Sequence, residues 1–425
     1  MTTESALVTA PVEPEGTEEP LPLVKGTIKR LTAWSIPANI SIFMLWGAIP
    51  GLLLPLQITA LDPANKIGNL AVVMTLGAFL AMFAQPIAGQ VSDRTRSRFG
   101  RRAPWMVAGV LVGGLALIGL AVASTLFWIA VAWAAVQVSY NFAQGPLSAI
   151  LPDRVPRRSR GTFASLVGMA SMVGAVGGSI VAVGFATSIP AGYLFFAGFA
   201  LIAITLLIVF NPDHSSVDMP KEPFTFGDFL RTFWVNPVRH PDFFWAFTGR
   251  LLLYTGYFAV TGYQLFILQD YIGLGEDAIA LVPVFSLVSL AGIIVGTVVC
   301  GPLSDKFARR KIFVFISSVL VGVALLVPII MPTTTGWFIM TVLSGLGFGA
   351  FQSVDQALMS EVLPSKKSFA KDLGVVNIAA TLPQTLAPAV AGAIALTFGY
   401  IGLFPVGIVL SILGAFAVWF IKAVR

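Results

Sequence analysis

The chain has 425 residues, 56% of them hydrophobic and only 11% charged, with a formal net charge of +6. Ordinary soluble domains carry about 25% charged residues, so a chain this apolar takes the bilayer as its solvent. Cys300 is the only cysteine and no GxxxxGK[ST] phosphate loop occurs, which excludes a disulfide framework, a thiolate metal site and a self-contained ATP-driven pump.

Residues 1–24 are rich in Glu and Pro and poor in apolar side chains, the composition of a disordered tail. They lack the basic start and cleavable apolar core of a signal peptide. With the surface segment marked by Lys25, Lys29 and Arg30, this cytoplasmic region runs to residue 32. Spanning helices need roughly 20 mostly apolar residues. Twelve segments qualify: 33–56, 68–91, 105–123, 126–150, 163–187, 192–210, 243–271, 279–303, 311–331, 337–359, 372–398 and 402–422. They are numbered here as spans 1 to 12. Spans 1–6 form a half over 33–210 and spans 7–12 a half over 243–425. The polar stretch 211–242 between them contains Pro212, Pro220, Pro223 and Pro237 and reads as a cytoplasmic linker, with a surface helix near Phe224–Trp234. Its two histidines, His214 and His240, lie too far apart to suggest a metal centre, and no metal is expected.

The halves are copies of one another. Gly89-Gln90-Val91-Ser92-Asp93-Arg94 returns as Gly301-Pro302-Leu303-Ser304-Asp305-Lys306, 212 residues later. Leu151-Pro152 and Leu363-Pro364 keep the same offset, as do Gln144 and Gln356. Duplicated membrane bundles are the architecture of many secondary transporters. All but two of the 26 Lys and Arg residues fall in the tails, the linker, or the loops after spans 2, 4, 8 and 10. The exceptions are Lys66, in a loop on the other side, and Arg250, inside span 7. Basic loops stay inside, so both termini are expected in the cytoplasm, with the chain multi-pass in the plasma or inner membrane.

Glycines four apart, Gly109 and Gly113, Gly174 and Gly178, Gly292 and Gly296, Gly345 and Gly349, suit close helix packing in lipid. Pro50, Pro86, Pro146, Pro283, Pro328, Pro383 and Pro388 are candidate bends, because each removes a helix donor and frees a carbonyl.

Twelve spans, two six-helix halves, a long central loop and an Asp-Arg…Gly-Arg-Arg phrase after span 2 together resemble the major facilitator superfamily. The fuller string from Ser92 to Trp105 (SDRTRSRFGRRAPW) resembles the glycoside–pentoside–hexuronide cation symporters and the sucrose-transporter-like branch. The resemblance implies an all-α fold of two pseudo-symmetric six-helix halves that alternates between two open states. It covers nearly all the chain at the level of the superfamily, and one loop at the level of the branch. Two departures stand out. Those cation symporters hold a coupling ion with acidic residues in spans 2 and 4, whereas span 2 before Asp93 and all of span 4 lack Asp and Glu. Drug/proton antiporters carry a GPxxGG-like motif in span 5, where this chain has Val173-Gly174-Ala175-Val176-Gly177-Gly178. In the loop phrase, Asp93 can pair with Arg94, Arg101 or Arg102 or cap a neighbouring helix, as a gate that holds one state. Asp305 with Lys306, Arg309 and Arg310 would act likewise in the second half. Simple topology and attraction to anionic lipid is the plainer reading of the same charges.

Polar residues inside spans are costly and usually face the bundle interior or a cavity. Gln137, Tyr140, Asn141 and Gln144 in span 4 share one helical face, as do Gln352, Asp355 and Gln356 in span 10. Span 7 carries Arg250, Tyr254, Tyr257, Thr261 and Gln264, and span 1 carries Asn39 and Trp46. The superfamily resemblance implies that spans 1, 4, 7 and 10 line the central cavity. Asn377 and Gln384 of span 11 would support them. Amides, hydroxyls and rings suit a neutral, hydroxyl-rich ligand such as a sugar or polyol; some of these groups could equally bond helix to helix. Gln269 and Tyr271 read as interfacial anchors.

Arg250 and Asp355 are opposite charges within the second half. Each alone would cost about 2.5–3.5 kcal/mol at a helix centre, and a mutual pair offsets much of that. Asp355 is then the expected carrier of a coupled proton, with Arg250 holding or releasing it. Alternatively Asp355 binds the basic loop around Arg309, or Arg250 snorkels to the surface.

The expectation is a secondary transporter, working as a monomer by proton symport or facilitated diffusion, with no cofactor beyond a coupling proton or Na⁺ and no nucleic-acid partner. The alternatives are an exporter of amphipathic compounds by proton antiport and a non-transporting sensor. A membrane enzyme would need a reactive cluster, and no histidine lies in any span.

Overall fold

The computed structural model describes residues 23–24, 26–219, 239–307, 309–362 and 369–422, with side chains left aside at 360, 361 and 369–380. Most of the N-terminal tail, the surface helix expected at Phe224–Trp234 and Leu363-Pro364 lie outside the described residues.

The described chain is helical, without strands. The first half comprises spans Ile28–Leu61, Lys66–Arg94, Ala103–Val122, Leu126–Arg154, Arg157–Val183 and Ile189–Phe210. In the second, Pro241–Thr261 and Gln264–Tyr271 form a bent span 7, followed by Gly275–Phe307, Arg310–Ile330, Thr334–Met359, the described part of Phe369–Phe398, and Tyr400–Phe420. Span starts follow local chemistry. Thr27, Thr125 and Thr333 accept from the backbone N–H groups of Arg30, Trp128 and Gly336, satisfying donors the first turn leaves orphaned. Pro104, Pro190 and Pro241 stand in first turns, where a missing N–H costs nothing.

The glycine pairs pack helices together as their spacing predicts. A Cβ on Gly178 would sit 2.1 Å from the Met44 carbonyl oxygen, and one on Gly349 would sit 2.2 Å from that of Ile293. Spans 1 and 5, and spans 8 and 10, therefore meet backbone to backbone in a way no larger residue allows.

The duplication also sets the bends. Span 1 is wound as a π-helix over Ile49–Leu53, at Pro50-Gly51. Span 7 bends by 47° between Thr261 and Gln264, across Gly262-Tyr263, 212 residues after Pro50-Gly51.

The halves meet along spans 2 and 11 and along spans 5 and 8. Thr385 Oγ1 donates to the Ala78 carbonyl at 3.2 Å. On the face opposite the tails, called the far face here, Lys66 Nζ lies 2.7 Å from Asp270 Oδ2. Asp270 Oδ2 also accepts from the Tyr400 hydroxyl at 2.7 Å. On the basic face that carries the tails, the linker folds back onto the span 2–3 loop: the Ser97 N–H donates to Ser216 Oγ, and Arg96 to the Met219 carbonyl.

Candidate functional site

A cavity of about 550 Å³ lies between the halves. Span 1 contributes Phe43 and Trp46 beside the Pro50-Gly51 irregularity, and span 4 contributes Gln137, Asn141 and Gln144. From the other half come Phe258, Thr261 and Gly262 at the bend of span 7, with Thr381, Gln384 and Pro388 of span 11. Met74, Ala78, Met82 and Gln85 of span 2 complete the wall. No charged side chain lines the cavity among the described residues.

Internal hydrogen bonds hold part of this wall. The Trp46 indole N–H donates to Gln144 Oε1 at 2.8 Å. Asn141 Nδ2 donates to the Gln137 carbonyl at 2.8 Å, and Thr261 Oγ1 to that of Tyr257 at 3.0 Å. Trp46 meets Trp133 and Tyr140 edge to face.

Of the residues expected from sequence, Trp46, Gln137, Asn141, Gln144 and Gln384 line the cavity, together with Thr261. Asn39 is buried and bonds back to the Ser35 carbonyl within span 1. Tyr140 is fully buried behind Trp46, with its ring against Gly113. The bend carries Gln264 past the cavity, where its Nε2 is buried without a hydrogen-bond partner among the described residues. Gln352 and Gln356 are exposed and do not line the cavity. The Asn377 side chain lies outside the described residues. Gln85 and Thr381 were not singled out from sequence. Gln85 had a signal, as the one amide between Asn69 and Gln90 in an apolar span, next to Pro86.

Arg250 and Asp355 form the expected pair. Arg250 Nε lies 2.5 Å from Asp355 Oδ2, with the side chains 5% and 2% exposed. Burial that deep means neither charge is solvated by bulk water, and each depends on the other. Around the pair, Tyr254 packs on Phe348 and Phe351, and Tyr257 stacks on Phe348 with ring centroids 4.2 Å apart. Tyr254 and Tyr257 therefore belong to the core of the second half.

The basic face carries the loop cluster. Asp93 Oδ1 lies 2.6 Å from Arg102 Nη2 and 3.7 Å from Arg101 Nη1. Both arginines also reach Asp153, at the end of span 4, at 2.8 Å. Asp153 was not singled out from sequence, because the span expected at 126–150 stops short of it whereas the helix runs on to Arg154. Arg94 ends span 2. In the second half Asp305, largely exposed, meets Arg310 at 3.2 Å; Lys306 closes span 8 and Arg309 precedes span 9. These basic-face ion pairs each stay within one half, whereas Lys66–Asp270 on the far face joins the two.

A family model described as MFS/sugar transport protein matches residues 66–367. Among curated proteins, the sucrose transport protein SUC4 of Arabidopsis thaliana is 31% identical over 137 residues, 26% of this chain and 26% of that protein. An uncharacterized symporter of Synechocystis sp. is 40% identical over 77 residues, 18% of this chain and 12% of the symporter. The matches therefore span about a quarter or less of these relatives. Among solved structures, the nucleoside transporter NupG superposes with a TM-score of 0.73 at 15% identity, covering 92% of this chain and all of that one. A POT family transporter in complex with a thioalcohol-conjugated peptide gives 0.74 at 12% identity, covering 92% of this chain and 95% of its own. At such identities the agreement concerns the fold.

Proposed function

The chain belongs to the MFS/sugar transport protein family, and from that premise we propose that it carries a sugar or polyol across the membrane by alternating access, coupled to a proton. It is a multi-pass membrane transporter of the major facilitator fold and not an enzyme. The observation that carries the substrate reading is the uncharged, amide-lined cavity between the halves. Its volume falls within the roughly 300–1,000 Å³ of small-molecule sites. Its amides and hydroxyls offer hydrogen bonds to a hydroxylated rim, and Trp46, Phe43 and Phe258 offer ring surface to an apolar face. A multiply charged ligand would meet no counter-charge there. The relatives named a sucrose transporter and a symporter point the same way.

We infer from the rule that basic loops stay inside that the basic face is cytoplasmic, with both termini on that side, and the plasma or inner membrane is the proposed location. The far face is bridged between halves by Lys66–Asp270 and by spans 2 and 11, while on the basic face the described pairs Asp93–Arg102 and Asp305–Arg310 each lie within one half. That pattern belongs to an inward-facing state. The cluster of Asp93, Arg101, Arg102 and Asp153 then serves as part of the gate that re-forms in the opposite state. The cavity lies within one chain, so a monomer suffices.

Coupling is assigned to Asp355. A proton on its carboxylate removes the charge that holds Arg250, and spans 7 and 10 are then free to shift against each other. Uptake of labelled sugars and polyols into proteoliposomes, with and without an imposed inward proton gradient, tests the whole reading. One sugar accumulating above equilibrium, abolished by an uncoupler, is the expected result. Equilibration without accumulation would remove the proton and leave a facilitator, and no flux of any sugar or polyol would overturn the substrate class.

A further inference from the structure

Resting on that reading of the cavity, we propose that Asn141 and Gln144 form an acceptor–donor pair that reads two adjacent hydroxyls, with Trp46 as the residue that sets its polarity. A side-chain amide can in general turn either end to a partner. Here the partners decide. An indole N–H only donates and a backbone carbonyl only accepts. Trp46 Nε1 lies 2.8 Å from Gln144, so the Gln144 oxygen must face it and the NH₂ group is what remains for the cavity. Asn141 sits 2.8 Å from the Gln137 carbonyl, so its NH₂ must face that oxygen, which engages one of its two N–H groups and turns Oδ1 the other way. Reversing either amide would set two donors or two acceptors against each other.

The indole cannot easily turn away. Trp133 and Tyr140, both fully buried, meet it edge to face with centroids 6.5 and 6.3 Å distant. Residues three apart on a helix have Cβ atoms about 5–6 Å apart, a separation that neighbouring ring hydroxyls can bridge. One hydroxyl donates to Asn141 Oδ1 while the next accepts from Gln144 Nε2. A carboxylate can only accept and meets a bare oxygen at Asn141; an ammonium can only donate and meets an N–H at Gln144. The pair therefore selects a vicinal diol over a sugar acid or an amino sugar at this edge.

Deoxy and deoxyfluoro analogues of the best-transported panel sugar separate the two roles, because fluorine can accept weakly but never donate. In uptake competition, the position read by Gln144 should lose about five- to tenfold on deoxygenation and much less on fluorination. The adjacent position, read by Asn141, should lose about five- to tenfold with either analogue. Trp46→Phe frees the Gln144 amide to turn and should shrink the difference between fluoro and deoxy analogues at the first position. Gln144→Glu keeps the bond to Trp46 but presents only an acceptor, so the advantage of the fluoro over the deoxy analogue at this position should disappear. This variant decides the matter should Trp46→Phe fail to fold. The proposal is overturned if no adjacent pair of positions shows the split, or if the split survives Gln144→Glu. Absence of transport or competition by any panel sugar would instead mark failure of the sugar reading itself.

Discussion

The two halves use the same positions for different ends. Subtracting the 212-residue offset places Arg250 over Ala38 and Asp355 over Ala143, both buried alanines. Where the first half has small buried apolar side chains at these positions, the second joins spans 7 and 10 with a buried ion pair. Tyr254 and Tyr257 fall on Ile42 and Leu45, away from the cavity, whereas Phe258 falls on Trp46 and Gly262 on Pro50, and both of these pairs line it. Span 4 turns its amides to the cavity, while span 10 turns Asp355 to Arg250 and leaves Gln352 and Gln356 exposed. The first half is thus a fixed hydrogen-bonding surface. The second is held by a buried contact between opposite charges.

The largest expected effect breaks the second half. Asp355→Ala leaves Arg250 buried without a counter-charge, at a cost of about 3–5 kcal/mol, to be read as lost thermal stability of the purified protein. Asp355→Asn should abolish accumulation against a gradient while sparing exchange. The double variant Arg250→Met with Asp355→Leu should recover stability, since well-packed apolar pairs often replace buried ion pairs without loss, yet still fail to accumulate. Accumulation by the double variant would remove the pair from coupling. A smaller effect sharpens the contrast of spans 4 and 10. Gln144→Ala should raise the half-saturating sugar concentration about tenfold, the value of a good hydrogen bond, with Gln356→Ala within about twofold of wild type in the same uptake assay. Equal losses would mean that span 10 also faces the ligand in another state.

The contrast explains what the sequence made legible. Hydropathy and the offset were enough for twelve spans, two halves and the polar stripes, because lipid tolerates so few alternatives. The 3.6-residue period says which residues share a face, but not which neighbour that face meets. It grouped Gln352 and Gln356 with Asp355, and could not show that Asp355 alone is buried against span 7. Span 7 also looked like one straight helix, so Thr261 and Gln264 seemed equivalent. The bend at Gly262-Tyr263 keeps the first in the wall and carries the second beyond it. Gln85 stood alone, and a single amide has no periodicity to mark its direction. Asn141 and Gln144 were legible as polar, while the orientation of their amides depends on Trp46 and the Gln137 carbonyl, one of them 98 residues distant in the chain.

The smallest effect concerns the seam that joins the unequal halves at the far face. Lys66 pairs with Asp270 and stands over the Phe266 ring, 5.0 Å from its centroid. Partly exposed ion pairs contribute about 0–1 kcal/mol, and a cation–π contact at an exposed site about 0.5–1 kcal/mol. Lys66→Met removes both and should raise the far-side-open population by about three- to tenfold. The readout is maleimide labelling of Met74→Cys, on the cavity wall, in a Cys300→Ser background, with an impermeant reagent on the far side. Asp270→Asn should do less, because an amide oxygen can still accept from Tyr400 and from Lys66. Unchanged labelling in Lys66→Met would mean that the seam is closed by helix packing alone. Spans 2 and 11 could supply it: Thr385 bonds to the Ala78 carbonyl, and a Cβ on Gly392 would come within 2.3 Å of that of Ala71. In that case Gly392→Leu should open the far side where Lys66→Met did not, because a side chain there cannot fit without parting the two helices.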